Sequence, residues 1–260
     1  MAESPHSQPL QVGVLLISDL VQLLDLAPID LFTTLQPEYL DACGLPEEIV
    51  ALGIKSEIHY ITEDGDKPVN MTSGVRIQPT TSILECPSLD ILLLPGPHPL
   101  HEPSSAVVQF LHNASKKVSA LLAICTGAMT LARAGVLNGI PSACPRLMLP
   151  LMEKTVPQVR WQKKRYIQHE NIWTSAEVTN GLDMMQAYLR SAYPAAIVEL
   201  ALYLNDMYDR GESFDGDKLP SRLVSNQTIP PHSSAIHDLY DCAPPWASKA
   251  SIGYDEVGYN

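Results

Sequence analysis

Residues 118–128 read Val118-Ser119-Ala120-Leu121-Leu122-Ala123-Ile124-Cys125-Thr126-Gly127-Ala128, and this stretch decides the fold. A short apolar run closed by small residues is the pattern of a strand buried on both faces. Met129-Thr130-Leu131-Ala132-Arg133-Ala134 follows and reads as a helix, closed by Gly135. Strand, tight turn and helix put one reactive side chain, Cys125, at the corner. This is the geometry of a nucleophile elbow, which turns that side chain out of the sheet. The helix N-terminus behind the thiol favours its thiolate. The same residues also suit a buried cysteine that closes a core strand, because free cysteine is among the most buried residue types.

Outward from this corner, apolar strands and helices alternate. Strands are expected at Gln11–Ile17, Ser56–Thr62, Val75–Thr80, Leu89–Leu94, Arg165–Gln168 and Ile172–Ser175, with a loop at Ser82–Pro87. Helices are expected at Leu23–Leu35, with Pro28 near its start, at Ser104–Asn113 and at Thr179–Ala192. A last helix begins at Pro194 and carries Ile197, Val198, Ala201, Leu204 and Tyr208 on one face. The basic stretch Glu153–Arg165 reads as a solvated helix face or loop. Such alternation predicts a doubly wound α/β fold, a mostly parallel sheet with helices on both faces. Its site lies beyond the carboxyl ends of the strands. Three landmarks meet there: Asp25 after the first strand, the Pro95-Gly96-Pro97 turn, and Cys125. Residues 1–10 read as a flexible leader, 11–210 as the α/β domain, and 211–260 as an extension rich in Pro, Ser, Asp and Gly.

Composition narrows the function classes. The chain has 260 residues, 45% hydrophobic and 18% charged, with a net charge of −12. That balance is globular, and the acidity argues against nucleic acid or an anionic membrane surface as partner. Five scattered cysteines (Cys43, Cys86, Cys125, Cys144 and Cys242) form no CxxC pair and no zinc spacing. No metal is therefore expected, and reduced thiols fit a cytoplasmic protein. No apolar run nears the roughly 18 residues of a membrane span, and the polar N-terminus has no signal-peptide pattern. Neither GxGxxG nor a P-loop occurs, so nucleotide phosphate has no expected seat. The Asn-x-Ser/Thr sequons at Asn70, Asn113 and Asn226 read as chance.

The ordered landmarks resemble the ThiJ/PfpI superfamily, with its class I glutamine-amidotransferase-like fold. The similarity is greatest to its isonitrile hydratase branch and to the sensor-like domains of AraC-type regulators. It rests on Val12-Gly13-Val14-Leu15-Leu16-Ile17, Leu24-Asp25-Leu26-Ala27-Pro28-Ile29-Asp30, Leu94-Pro95-Gly96, Ala123-Ile124-Cys125-Thr126-Gly127-Ala128, Ala134-Gly135-Val136-Leu137-Asn138-Gly139 and Thr174-Ser175-Ala176-Glu177-Val178-Thr179-Asn180-Gly181-Leu182-Asp183. The resemblance implies a flavodoxin-like sheet, no cofactor, a small-molecule substrate and a homodimer. It also implies Cys125 as nucleophile, Asp25 as the acid sharing its proton, and Thr126 as a hydrogen-bonding neighbour. From the residues alone, Asp25 is equally a first-turn helix residue.

Departures from the family pattern bear on the substrate. Where many relatives have a second glycine after the proline, Pro97 offers no N–H, so a two-donor oxyanion hole loses one donor. The His of a Thr-Thr-His-like segment is absent, since that segment reads Ser142-Ala143-Cys144-Pro145-Arg146. Gly96, Pro97, His98, Cys144, Arg146 and Glu177 are the candidate substrate contacts. His98 and His101 either approach the site or sit in a surface loop. Arg146 either binds a carboxylate or joins a surface ion pair. Glu177, where relatives usually have Gly, is either a new acid or base or a solvent-facing strand end. Three functions follow: an isonitrile hydratase-like lyase or a biosynthetic variant of it, a glyoxalase- or deglycase-like enzyme for 2-oxoaldehydes, and a non-catalytic thiol or ligand sensor.

Overall fold

The computed structural model describes residues 8–18, 20–214 and 216, built around a seven-stranded sheet. Its strands are β1 (Leu10–Leu15), β2 (Ser56–Thr62), β5 (Thr81–Ser82), β6 (Ile91–Leu94), β7 (Ala120–Ala123), β10 (Tyr166–His169) and β11 (Ile172–Ser175). Two-stranded ribbons pair β3 (Val69–Asn70) with β4 (Arg76–Ile77), and β8 (Pro141–Ser142) with β9 (Arg160–Trp161). The sheet order is β10-β11-β7-β6-β1-β2-β5, and every neighbour is parallel except the β10–β11 edge hairpin. The fold is thus the flavodoxin-like α/β class.

The helices are α1 (Pro28–Thr34), α2 (Pro37–Ala42), α3 (Glu47–Val50), α4 (Ser105–Ser115), α5 (Gly127–Arg133), α6 (Leu149–Thr155), α7 (Asn180–Ala192) and α8 (Ala195–Leu204). Strands alternate their side chains between faces. Val12, Val14, Ile91, Leu93, Leu122 and Ile124 join one core with Phe32 of α1, Met184, Met185 and Leu189 of α7, and Ile197 and Val198 of α8. Leu92, Leu94, Leu121 and Ala123 are also fully buried and face the other way, where α4 and α5 pack on β7. Each buried Leu or Ile on these strands stabilises the fold by about 1.5–3 kcal/mol, which is why β6 and β7 read as unbroken apolar runs. Ser104 starts α4 by accepting the Val107 N–H at 3.2 Å.

β1 lies mid-sheet. The chain builds outward from it to β2 and β5, then returns to its other side for β6 and β7. The loops after β1 and β6 therefore leave in different directions, which opens a crevice at the carboxyl ends of the strands. Asp25, Gly96 and Cys125 follow β1, β6 and β7 respectively, so all three arrive at that crevice.

The local expectations fail where tertiary pairing overrides propensity. Val75–Thr80 is a strand only at Arg76–Ile77, in a ribbon apart from the main sheet, and Thr81–Ser82 takes the sheet edge just where a loop was expected to begin. Leu23–Leu35 splits into a 3-10 turn at Leu23–Asp25 and α1 from Pro28. α8 ends at Leu204, capped by Asn205, so Leu204 and Tyr208 are exposed while Ile197, Val198 and Ala201 are buried. Arg165 is no solvated residue. It is buried, and its guanidinium donates to the carbonyl oxygens of Arg210 and Ser213. The described chain follows the domain to Phe214, and residues 217–260 lie outside the described residues. Among the described residues no helix is long and apolar enough to cross a membrane.

At Gly127 a Cβ would overlap the Leu94 carbonyl oxygen, a backbone atom with no freedom to retreat. Gly127→Ala is expected to lower unfolding free energy by about 1–3 kcal/mol, read as the urea midpoint shift at constant slope. An unchanged midpoint would mean that α5 does not start this close to β6.

Candidate active site

The elbow forms because β7 ends against two neighbours. Ile124 donates its N–H to Leu94 O at 2.9 Å, and Cys125 donates its own to Ser175 O at 3.2 Å. These bonds hold the chain while it turns into α5, and Cys125 takes φ +56°, in the left-handed region. That conformation costs a non-glycine residue about 1–2 kcal/mol, a strain typical of functional corners. Gly127 then donates to Ile124 O at 2.8 Å and lets α5 begin against β6.

Thr126 ties this corner to the next turn. Its hydroxyl donates to Pro97 O at 2.6 Å. Gly96, one residue earlier, donates its N–H to Asp25 Oδ2 at 2.9 Å. A Cβ on Gly96 would lie 2.5 Å from Thr126 Oγ1 and 2.8 Å from Asp25 Oδ2, so only glycine fits between them. Asp25 is 1% exposed, and its Oδ1 has no hydrogen-bond partner among the described residues. Leaving such an oxygen buried costs about 1–3 kcal/mol. Burial pushes the Asp25 carboxyl up from 3.8 to about 7, and the Gly96 N–H opposes this only in part.

Cys125 does not meet the expectation of a helix-stabilised thiolate. Burial pushes its thiol up to about 12, with the Asp25 and Glu177 carboxylates adding to the rise. The Thr126 N–H and hydroxyl act the other way and do not prevail. The reason is desolvation: packing around a partly exposed thiol, beside two carboxylates, penalises the anion more than a two-turn helix rewards it. The Asp25 charge adds to the thiol's rise, so the two titrations are coupled.

Glu177 and Arg146 form one unit beside the pair. Glu177 Oε1 accepts from the Arg146 N–H at 3.1 Å and from Arg146 Nε at 2.8 Å. The Glu177 N–H in turn donates to Asn180 Oδ1 at 3.0 Å. Glu177 Oε2 is buried and has no hydrogen-bond partner among the described residues. Cys144 is buried nearby, its thiol pushed up to about 12 by burial first, then by Glu177, Glu153 and Cys125. Phe214 stacks on Arg146 at 4.1 Å and on Arg165 at 5.3 Å. Sequence reasoning missed Phe214, Arg165 and Asn180 as part of this wall. No local pattern marks them, since each acts through a partner more than two residues away.

His98 follows Pro97, whose carbonyl accepts from Thr126 at the elbow, and His101 lies in the same loop, its carbonyl accepting from Arg133. His98 Nδ1 accepts from the Leu100 N–H at 3.2 Å. The His101 imidazole is pushed down by burial, and its charged neighbours are Glu102, Arg133, His98 and Glu63. Neither histidine is among the groups that shift Cys125. The turn donors are also committed: Gly96 N–H to Asp25, Cys125 N–H to Ser175, and Pro97 has none. No pair of free backbone donors faces the sulfur from these residues. A separate cleft of about 560 Å³, lined by Leu10, Asp90, Ser119, Tyr188 and Tyr193, lies where the strands begin, away from the crevice. Among the described residues no group of His, Cys, Asp and Glu is arranged to hold a metal ion.

Asp25 gives a signed pH dependence. Between its unfolded value of 3.8 and about 7, the folded protein holds a proton that the unfolded chain has released. Its favourable contribution is complete below pH 4 or so and gone above about 7, a total of about 4 kcal/mol. Asp25→Asn has no such loss. Its unfolding free energy relative to wild type should rise by about 2 kcal/mol between pH 5.5 and 8 in urea titrations. A difference independent of pH would rule out a raised carboxyl.

The DJ-1/PfpI family model matches residues 31–191, which include Cys125 and Glu177 and begin after Asp25. The isonitrile hydratase of Pseudomonas putida is 27% identical over 201 residues, 73% of this chain and 83% of that protein. The HTH-type transcriptional regulator GbdR of Pseudomonas aeruginosa is 27% identical over 150 residues, 56% of this chain. The chain spans 41% of that regulator's length. Among solved structures, a ThiJ/PfpI family protein from Pseudomonas syringae superimposes with a TM-score of 0.63 at 18% identity, over 83% of each chain. With the family match covering more than half of its residues and the sheet order and elbow in place, the chain belongs to the DJ-1/PfpI family.

Proposed function

We propose that this protein is a cysteine-dependent enzyme for a small electrophilic molecule, an isonitrile hydratase-like lyase that needs no cofactor. The observation that carries the reading is the strained Cys125 corner set against a buried Asp25 whose carboxyl is neutral up to about pH 7. An isonitrile carbon takes a proton and a nucleophile at the same atom, so it suits a site that offers an acid and a thiol together. Asp25 gives its proton to that carbon while the Cys125 sulfur forms the C–S bond and returns the thiol proton to Asp25. The thiol never has to exist as a free thiolate, which fits its high value. The product of this step is a thioimidate, R–N=CH–S–Cys125. Water then adds to its carbon, the C–S bond breaks, and a formamide leaves with the thiol restored.

No carbonyl oxyanion forms in the first step. Commitment of the Gly96 and Cys125 N–H groups therefore weighs against peptidase or amidase chemistry more than against this one. The glyoxalase- or deglycase-like alternative lacks the histidine of the Thr-Thr-His-like segment, which reads Ser142-Ala143-Cys144 here. A non-catalytic sensor remains the second reading, favoured by the similarity to a transcriptional regulator. A homodimer and a cytoplasmic location belong to the same proposal, by analogy with the family.

Formamide release from benzyl isonitrile, followed by NMR of the formyl proton, tests the reading. Cys125→Ala should fall to the uncatalysed rate, and Asp25→Asn should lose about 10²–10⁴-fold. Wild-type rate should drop about tenfold per pH unit above the Asp25 value of about 7. Equal formamide yield from wild type and Cys125→Ala would end the enzyme reading. Binding without turnover in both would favour the sensor.

A further inference from the structure

We infer that Glu177 is the base that prepares water to release the product from Cys125. The inference rests on the covalent reading of the same site and assigns its second half. Its first support is position. Cys125 donates its N–H to Ser175 O at 3.2 Å, and Glu177 follows two residues later in a loop held by Asn180. Its charge is among those that raise both the Cys125 and the Cys144 thiols.

The second support is how the two carboxylate oxygens are used. Oε1 is fixed by two donors of Arg146, whose guanidinium is in turn stacked against Phe214. These bonds set the orientation of the carboxylate. Oε2 is buried and has no hydrogen-bond partner among the described residues. A buried carboxylate oxygen calls for a donor, and the only reactant of the second half that is purely a donor to it is water. Asp25 is unsuited to this task. Its Oδ2 is held by Gly96, and it regains the thiol proton when the adduct forms.

The protons then balance. Water passes one proton to Glu177 as its oxygen bonds the thioimidate carbon, and Asp25 protonates the nitrogen. The resulting R–NH–CH(OH)–S–Cys125 loses its hydroxyl proton to Asp25 as the C–S bond breaks. The departing sulfur takes the proton held by Glu177. Cys125, Asp25 and Glu177 end as they began, and no oxidant or further reactant is used.

The test is Glu177→Gln in the full chain, followed by intact mass and rapid quench. With benzyl isonitrile, the variant should form the Cys125 adduct at a rate close to wild type. It should release formamide about 10²–10⁴-fold more slowly, so that protein carrying the mass of one isonitrile accumulates. A merely structural role would slow adduct formation instead. In parallel, long incubation with 4-nitrophenyl acetate, an ester activated enough to acylate even a seldom-ionised thiol, would place a thioester on Cys125 that meets the same water, whatever the natural substrate. A longer-lived thioester in Glu177→Gln, with no isonitrile turnover in wild type, would sink the isonitrile reading and keep the base. Equal thioester lifetimes, or loss of adduct formation in Glu177→Gln, would overturn the inference. Failure of both probes to label Cys125 would overturn both.

Discussion

The site depends on the space around Gly96. Its N–H reaches Asp25 and its missing Cβ leaves room for Thr126, so one residue sets the approach of two loops. Thr126 completes the clamp by donating to Pro97 O. β6 lies between β1 and β7 in the sheet, so the turn after β6 is the natural bridge between the acid after one neighbour and the thiol after the other. Any side chain at this point would push those two loops apart. The proline beside it adds rigidity at the cost of a donor, and that loss shapes the chemistry the crevice favours.

Charge is the second organising fact. Three ionisable groups lie together: Asp25 is buried, while Cys125 and Glu177 are partly exposed. Burial raises both the acid and the thiol, so the neutral pair prevails below about pH 7. A site in that form is poorly suited to direct thiolate attack on a carbonyl. It is well suited to reactions in which proton and nucleophile move together. The polar wall made by Arg146, Glu177 and Phe214 limits how far the carboxylates can rearrange to relieve one another.

Much of the fold was legible because burial on both faces of β6 and β7 leaves unbroken apolar runs. Helices α4, α5 and α7 follow their apolar spacing closely. What failed was short or marginal: the Val75–Thr80 segment, the end of α8, and the solvation of Arg165. A ribbon partner six to eight residues away set the first, the Asn205 cap set the second, and the carbonyls of residues 210 and 213 set the third. At the site, the corner at Cys125 and the three convergent loops were readable. The sign of the thiol's shift was not, because desolvation depends on everything packed around the sulfur.

By itself the sequence determined the elbow and the doubly wound sheet, because local periodicity and turn chemistry are short-range properties of the chain. Only the tertiary structure decided which donors remain free, how strongly burial holds protons on Asp25 and Cys125, and that Arg146 and Phe214 brace Glu177. Those facts depend on atoms brought together across the sheet from residues far apart in the chain, and no local pattern encodes their spacing.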